Sequence, residues 1–550
     1  MSLDLVTMLG ADAPNVMVEK LRFLGPEIVL FLATCAVMVL GLSPQRALRQ
    51  ACALVAGGGL LLSAVVAQVS PVMETSLFPQ FLPYAKTLIA AVGVLMVLLV
   101  TGTIDRDFEA EIDRGRPFDA IRSNRGEFYA FLLFSLTGLM LVVTADDLVW
   151  LFLALELTSL PTYVMVSIST KRARSQEAGV KYFFLGALGA AVFLYGFAML
   201  YGATGTTMIW GDGTEPGIAQ ALQVQMAAGG LSPIAMLGIV LSILGICFKI
   251  AAVPMHFYTP DVYEGAASPV SAFLAFVPKA AGIIALIYLL STVGWQWGAG
   301  EGSLPDPVRV LLWTIAALTM TVGNVLAILQ TSVKRVLAYS SIAHSGYMLV
   351  GLIAGPGDGG LTSNGLAASM FYLLCYGFMN LGTFAVLACL ERDENGERVE
   401  LETFDDLRGL CATRPWVGWT MVLCSASLLG VPPLLGFVGK LFLFTSAISA
   451  GEIALVIVLG VNSAVAAFYY LRLIGAPMLE SPTDHTRSLQ PAESPWRVVA
   501  GVLSAASVIV LVPFSGVLIR VSSEATSPVE ITVEATASAA PIERPDGIDR

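Results

Sequence analysis

Four ionisable side chains lie deep inside long apolar runs of this chain. They are Glu156 in LFLALELTSLP, Lys249 in LSILGICFKIAAVPMHFY, Lys279 in FLAFVPKAAG and Lys440 in PPLLGFVGKLFLF. Ionisable residues inside membrane spans are costly, and ion pathways are a common reason for keeping them. A lysine in a low dielectric releases its proton more readily, whereas a nearby carboxylate such as Glu156 holds the lysine charged. These residues predict a switchable proton relay; the alternative is that they form buried salt bridges that only fix helix packing.

Two histidines and a further lysine are weaker candidates for the same relay. His344, in VKRVLAYSSIAHSGY, can exchange a proton near neutral pH, but such a residue can also simply hydrogen-bond a neighbouring helix. His256 lies two residues after Pro254 and could serve either the relay or the structure. Lys181 lies at the end of an apolar run, where a lysine is usually an anchor, although it could also join Glu156.

The composition places these residues in a bilayer rather than in a soluble core. Hydrophobic residues make up 56% of the 550 residues, charged residues only 13%, and the mean hydropathy is +0.77. Soluble domains carry about 25% charged residues. The acids behind the net charge of −11 lie mainly in short polar stretches such as 105–119 and 391–406, and the sequence has no basic stretch typical of nucleic-acid binding. The chain is therefore expected to contact lipid and not nucleic acid.

The sequence offers little for binding a metal or a redox group. Its seven cysteines include no CxxC pair, it has three histidines, and it contains no Walker loop. Zinc, haem and iron–sulfur sites depend on clusters of cysteine, histidine and carboxylate ligands. We therefore predict that this chain itself binds no metal and no cofactor.

Apolar runs of roughly 20 residues, the length that crosses a bilayer, predict an all-α polytopic membrane protein with fourteen spans. Nearly all lysines and arginines of the predicted loops fall on one side, with only Arg309 on the other, which places both termini outside the cytoplasm. Lys86 and Lys334 lie near span ends and are predicted to reach towards the water interface. The first residues lack a basic region, so we expect no cleavable signal peptide. The predicted spans are 23–42, 51–69, 82–102, 126–145, 147–168, 180–205, 232–258, 267–293, 308–330, 333–355, 365–390, 416–450, 453–478 and 496–521.

Two of these spans are predicted to be discontinuous. Span 232–258 contains Pro254 shortly after Lys249, and span 416–450 contains Pro432 and Pro433 shortly before Lys440. Proline removes a backbone donor and breaks a helix, and in lipid such breaks persist only where neighbours or water satisfy the backbone. A broken helix in each half of a bundle is typical of transporters built from inverted repeats, with the ion sites at the breaks.

Around these residues the chain resembles a known family, the antiporter-like membrane subunits of respiratory complex I. The resemblance covers about residues 20–520. It is carried by ALELTSLP, EAGVKYFFLGA, FKIAAVPMHFYTPDVYEGAASPVSAFLA, VPKAAG, SVKRVLAYSSIAHSGY and GVPPLLGFVGKLFLF. It implies three N-terminal helices in 1–125, two inverted five-helix repeats at 126–293 and 308–478, a last helix at 496–521 and a polar tail at 522–550.

The resemblance also assigns roles to the buried residues. The glutamate of the family maps to Glu156 and its lysines map to Lys249, Lys279 and Lys440. Protons then enter from the cytoplasm, reach Lys279 and leave through Lys440, driven by quinone reduction in other subunits. NADH, FMN, iron–sulfur clusters and quinone belong to those other subunits, the partners are neighbouring membrane subunits, and the location is the bacterial inner membrane.

Other functions are compatible with the same fold. A subunit of a multi-subunit sodium/proton antiporter or of a membrane-bound hydrogenase is the main alternative, and a scaffold without transport is a third. Within complex I, one sibling subunit has a glutamate in place of Lys440, and another continues past the fourteenth helix into a long lateral helix. The lysine and the short polar tail 522–550 argue against both siblings.

Overall fold

The apolar runs fold as α-helices, because a helix satisfies the backbone polar groups of a membrane span within the span itself. The computed structural model describes residues 23–71, 77–170, 172–211, 215–296, 303–394 and 397–528. In that part of the chain, ten helices are long and apolar enough to cross a membrane. The first half contains α1 (Gly25–Gly41), α2 (Arg46–Val69), α3 (Phe81–Val100), α4 (Arg106–Asp113), α5 (Arg125–Val143), α6 (Leu148–Ile168), α7 (Ala173–Thr204), α8 (Ile218–Ala227), α9 (Pro233–Lys249), α10 (Thr259–Gly265) and α11 (Ser268–Val293).

The second half repeats the pattern of long helices around a broken one. It also contains a small antiparallel sheet, which the sequence did not predict and whose strands lie in the order Glu397–Glu400, Leu390–Glu394 and Gln490–Pro491. The elements are α12 (Asp306–Ile328), α13 (Val333–Ala354), α14 (Gly365–Cys389), β1 (Leu390–Glu394), β2 (Glu397–Glu400), α15 (Leu410–Thr413), α16 (Pro415–Leu429), α17 (Leu435–Ser449), α18 (Ile453–Leu479), α19 (Asp484–Ser488), β3 (Gln490–Pro491), α20 (Trp496–Val510) and α21 (Ser515–Ala525).

Each predicted span corresponds to a helix or to a broken helix. The predicted break in 232–258 is present, because α9 ends at Lys249 and the chain runs without regular helix until α10. The predicted break in 416–450 is present too, and it separates α16 from α17. Helices α11, α13 and α14 are almost entirely buried, so they form the centre of the bundle around which the others pack.

The last predicted span, 496–521, is not a single straight helix. The chain bends by 91° between α20 and α21, at a segment that contains Pro513, and proline cannot continue a helical hydrogen-bond ladder. Helix α21 turns back onto the bundle, where Ser522 shares a 2.5 Å hydrogen bond with the Tyr84 hydroxyl and Thr526 accepts one from Asn364. The predicted polar tail therefore begins with an ordered helix end, and its part from 529 to 550 lies outside the described residues.

Two lysines predicted to reach towards water are instead buried. Lys86 is 2% exposed and its Nζ lies 2.8 Å from a carboxylate oxygen of Glu27, between α3 and α1. Lys334 is 3% exposed and donates to Glu400 at 3.2 Å. The prediction was wrong in both cases because each lysine has a carboxylate partner far away in the sequence, which a single span cannot reveal.

The sheet holds one end of the central helices together. Glu400, the last residue of β2, accepts hydrogen bonds of 2.7 Å from both the backbone N–H and the hydroxyl of Ser268 at the start of α11. The same carboxylate oxygen binds Lys334 in the first turn of α13. A carboxylate is favourable at a helix N-terminus, where backbone N–H groups are unpaired. Hydrogen bonds and the charge of Lys334 outweigh burial and lower the pKa of Glu400, so it stays ionised.

The Glu27–Lys86 pair gives a test of packing. Lys86→Met leaves a buried carboxylate without its cation, which costs about 3–5 kcal/mol, whereas replacing both charges by apolar residues is close to neutral. We expect the single variant to unfold at a clearly lower temperature than the parent in detergent, and the double variant Glu27→Leu/Lys86→Met to recover most of the loss. A single variant as stable as the parent would contradict the buried pair.

Candidate functional site

The first polar centre joins α6 to the end of α9. Lys249 Nζ donates to Glu156 Oε1 at 2.9 Å and to the Ser159 hydroxyl at 2.6 Å. The lysine side chain is buried, whereas the Glu156 side chain is 17% exposed. Glu156 and Ser159 lie three residues apart on α6, so both face the same neighbour. Glu156 is therefore the carboxylate partner of Lys249, and its control over the proton of that lysine remains a prediction.

The break after Lys249 is stabilised by side chains of the second half of the chain. The backbone N–H of Val253 donates to the hydroxyl of Thr319 on α12 at 2.9 Å. The carbonyl of Ile250 accepts a 2.5 Å hydrogen bond from Ser345 on α13. These contacts replace the helical hydrogen bonds that the break removes, as a membrane interior requires. They also fix the position of Lys249 relative to the helix that carries His344.

Lys279 lies at the centre of the bundle. It follows Pro278 in α11, whose residues are all buried, and it is itself 2% exposed. A cavity of about 10 Å³ separates it from Lys249 and is also lined by the aromatic rings of Tyr258 and Tyr263. That volume holds roughly one water molecule. Among the residues that the structure describes, no ion pair or hydrogen bond engages Lys279 Nζ, so it differs from Lys249 in having no counter-ion.

His344 occupies a pocket of hydroxyl groups in the second half. Its Nδ1 lies 2.7 Å from the Tyr372 hydroxyl and its Nε2 lies 2.8 Å from the Tyr470 hydroxyl. The Tyr470 hydroxyl in turn shares a hydrogen bond with Ser340. Hydroxyl groups both donate and accept, so this pocket accommodates a proton on either ring nitrogen. The histidine is 1% exposed and is thus a fully enclosed, hydrogen-bonded imidazole.

Lys440 lies at the second break, as Lys249 lies at the first. Its Nζ donates at 2.8 Å to the carbonyl of Leu429, the last residue of α16. The cation also lies 5.2 Å from the ring centroid of Tyr347. Gly430 allows this approach, because its φ of 93° is one that L side chains rarely adopt. The lysine therefore satisfies a carbonyl that the break leaves without a helical partner.

Pro254, Pro432 and Pro433 lie within the breaks as predicted. The Val253–Pro254 and Pro432–Pro433 peptide bonds are cis. The Ser427 hydroxyl accepts a 2.9 Å hydrogen bond from the Gly436 N–H, across the second break. Both breaks thus combine proline with side-chain capping of the freed backbone.

Two predicted candidates, Lys181 and His256, make no hydrogen bond to Glu156, Lys249 or Lys279 within the described residues. Lys181 is 43% exposed on α7, where its Nζ lies 2.7 Å from Glu177 and 3.3 Å from Asp261 rather than near Glu156. Burial alone would raise the pKa of Asp261, but hydrogen bonds from Arg335 and Lys181 lower it, so the carboxylate stays ionised. His256 is partly buried within the first break, and its Nδ1 has no hydrogen-bond partner among the described residues. The relay role of both remains a prediction.

Sequence reasoning missed most of the uncharged groups around the site. Most are hydroxyls on apolar helices, where a single sequence gives little to distinguish them from ordinary core residues. A tyrosine that recurs at i and i+4 in an apolar helix was the available signal. The residues are Ser159, Tyr263, Thr319, Tyr372, Tyr376 and Tyr470.

No cluster of three or more histidine, cysteine, aspartate or glutamate side chains suited to a metal ion is found in the described ranges. The site described above consists of lysine, glutamate, histidine and hydroxyl groups.

Known proteins are similar to this chain over the region that contains the candidate site. The family described as NADH:quinone oxidoreductase/Mrp antiporter, TM matches residues 145–466, a range that includes Glu156, Lys249, Lys279, His344 and Lys440. A relative from Rhodospirillum rubrum, the NADH-quinone oxidoreductase subunit N, is 37% identical over 467 residues, which cover 84% of this chain and 88% of the relative. The subunit N of Trichlorobacter lovleyi is 42% identical over 353 residues, covering 64% of this chain and 67% of the relative.

Solved structures of membrane complexes share the fold. A chain of respiratory complex I from Thermus thermophilus matches with a TM-score of 0.69 at 30% identity, covering 90% of this chain and 99% of that one. A chain of the Mrp complex from Dietzia sp. matches with a TM-score of 0.69 at 19% identity, covering 94% and 98%, which is a likeness of fold alone. With its broken helices, buried lysines and these relatives, the chain belongs to the NADH:quinone oxidoreductase/Mrp antiporter family of membrane subunits.

Proposed function

We propose that this chain is the proton-translocating subunit N of a bacterial NADH-quinone oxidoreductase, a relative of subunit 2 of mitochondrial NADH dehydrogenase. The proposed relay consists of Glu156, Lys249, Lys279, His344 and Lys440. The observation that carries the proposal is the contrast between two neighbouring buried lysines: Lys249 is paired with Glu156, whereas Lys279 faces the same small cavity and has no counter-ion among the described residues.

This contrast gives a mechanism for moving a proton. A proton on Lys249 is stabilised by the Glu156 carboxylate 2.9 Å away. If Glu156 moves or becomes protonated, the charge on Lys249 loses its partner, and an unpaired buried charge is strongly disfavoured. The proton then passes towards Lys279, and from there through His344 to Lys440. The energy for moving Glu156 comes from quinone reduction in partner subunits.

The remaining features fit a subunit within a larger complex. We infer the division into helices within 1–125, repeats at 126–293 and 308–478, and a last span at 496–521, with each repeat holding one broken helix. The loops that carry most of the arginines and lysines face the cytoplasmic side of the inner membrane, as the positive-inside rule requires. Both termini face the periplasm. NADH, FMN, iron–sulfur clusters and quinone are placed in the other subunits, with which this chain assembles through its exposed helices.

A second candidate is a subunit of a multi-subunit sodium/proton antiporter. The fold likeness to the Mrp complex favours it, but that match has 19% identity, whereas the subunit N relatives reach 37% to 42%. Purification of the chain with its natural partners separates the two, because only complex I brings NADH-dependent quinone reduction with it.

Lys279→Ala tests the centre of the relay. A methyl group cannot carry a proton between the two halves, so we expect NADH-driven proton pumping in membrane vesicles to fall by about 10²-fold or more, the usual contribution of a positioned proton-transfer group. Quinone reduction should fall with it if the two are tightly coupled. Assembly of the complex is measured in parallel on native gels.

The matched control is Lys279→Arg, which keeps a positive charge but does not release its proton at physiological pH. We expect it to assemble like the parent and still to fail in pumping. Pumping at the parental proton-to-electron ratio in either variant would show that Lys279 is structural.

Glu156→Gln tests the control of Lys249. The amide keeps the shape and one hydrogen bond to Lys249 but removes the charge, so we expect impaired pumping in an assembled complex. The control is Glu480→Gln, which removes a carboxylate that pairs with Arg408 at the surface. Equal pumping in the two variants would mean that the charge of Glu156 has no role.

A further inference from the structure

The lysines of the first half and His344 of the second half lie on different helices, and the relay needs a link between them. The wall of the lysine cavity offers one. Tyr263, on the short helix α10, lines the cavity beside Lys249 and Lys279. Its hydroxyl lies 3.4 Å from the Ser341 hydroxyl on α13, and Ser341 accepts a 2.8 Å hydrogen bond from Tyr376 on α14. Three hydroxyls from three helices thus lead away from the lysines.

The far end of this chain reaches the histidine pocket. The ring centroids of Tyr376 and His344 lie 5.0 Å apart. Tyr372 lies one helical turn before Tyr376 on α14, and its hydroxyl is bonded to His344 Nδ1. Tyr372 also packs against Gly439, the neighbour of Lys440, where an added Cβ would lie 2.8 Å from the tyrosine ring. Helix α14 therefore carries both the last hydroxyl of this chain and a tyrosine that contacts His344 and the helix of Lys440.

The local structure holds these hydroxyls in place. Tyr263, Ser341 and Tyr376 are 3%, 0% and 0% exposed. The backbone carbonyl of Tyr263 accepts a 2.8 Å hydrogen bond from Ser271 in the first turn of α11, which ties α10 to the helix of Lys279. Hydroxyl chains of this kind pass protons because each oxygen accepts one proton and gives up another.

We propose that Tyr263, Ser341 and Tyr376 form a hydroxyl bridge that carries protons from the cavity of Lys249 and Lys279 to His344. The inference rests on the proposed function and adds to it the route between the two halves. The alternative is that the three hydroxyls only hold helices together, a common use of such groups in membranes.

The proton balance of the bridge is simple. Lys279 gives up one proton and becomes a neutral amine, each hydroxyl oxygen gains one proton and loses one, and His344 ends as imidazolium. Tyr376 donates to Ser341 in this structure, so the hydroxyls turn before a proton passes towards His344. The rings of Tyr376 and His344 lie 5.0 Å apart between centroids, so the last step to the imidazole needs a bridging water molecule or a side-chain rotation.

Single substitutions in the purified complex, reconstituted in lipid vesicles, test the bridge. We expect Tyr263→Phe, Ser341→Ala and Tyr376→Phe each to slow NADH-driven pumping about tenfold or more, because each removes a proton-carrying oxygen. The solvent deuterium isotope effect on pumping should rise, since proton transfer becomes the slow step, and loss of a purely structural hydrogen bond would not raise it.

The matched control is Tyr288→Phe. Tyr288 is buried on the same helix as Lys279, and its hydroxyl donates to the Val143 carbonyl at 2.5 Å, away from the bridge. We expect this variant to pump like the parent. If one bridge variant fails to assemble, the other two positions decide the test.

Lys279→Ala, measured in the same vesicles, distinguishes failure of the hydroxyl bridge from failure of the proposed function. If Lys279→Ala stops pumping while the assembled bridge variants pump at the parental rate and isotope effect, the hydroxyl bridge is overturned and the proposed function stands. If Lys279→Ala itself pumps normally, the proposed function fails.

Discussion

The architecture depends on the cost of holding a charge in a low-dielectric interior. A buried charge is tolerated when a partner and hydrogen bonds compensate for the loss of water. Lys86 with Glu27 and Lys334 with Glu400 meet that condition with fixed partners on neighbouring elements. Lys279 does not, for no counter-ion is found for it within the described residues. The buried charges are therefore of two kinds. Those of Lys86 and Lys334 are fixed by a partner and hold helices together, whereas no partner within the described residues fixes the charge of Lys279.

The two helix breaks create a similar cost for backbone polar groups. A break leaves backbone groups without partners, and in a membrane these must be satisfied by protein. At the first break the second half of the chain supplies Thr319 and Ser345. At the second break Lys440 itself supplies the hydrogen bond to Leu429. The first break is therefore tied mechanically to the helix of His344, whereas the second break is sensitive to the state of its own lysine.

The sequence was informative where the signal is local. Span positions, both breaks and the buried Glu156, Lys249, Lys279 and Lys440 follow from hydropathy, proline and charge within short windows. Long-range pairing was out of reach: Lys86 and Lys334 were assigned to the interface because Glu27 and Glu400 are distant in sequence. The sheet at β1–β3 was missed for the same reason, since contacts between elements rather than local periodicity determine it. The bend before α21 was missed although Pro513 lies in the segment between α20 and α21. Most of the hydroxyl groups, such as those of Tyr263, Tyr372 and Tyr470, were missed because a tyrosine or a serine does not disturb an apolar pattern.

The buried ion pair at Glu400 also links the helices that carry Lys279 and His344. Glu400 binds the first turns of both α11 and α13, so the helices of Lys279 and His344 are joined at one end by an ionised carboxylate. Ser345 joins α13 to the first break near the middle of the bundle. These bonds restrain the two helices relative to each other, so we expect the proposed proton transfer to pass through side chains rather than through an approach of the helices. Glu156 is more exposed than Lys249, so it is the more accessible member of this ion pair. A rigid centre with one accessible carboxylate is the arrangement expected of a subunit whose driving force comes from outside the chain.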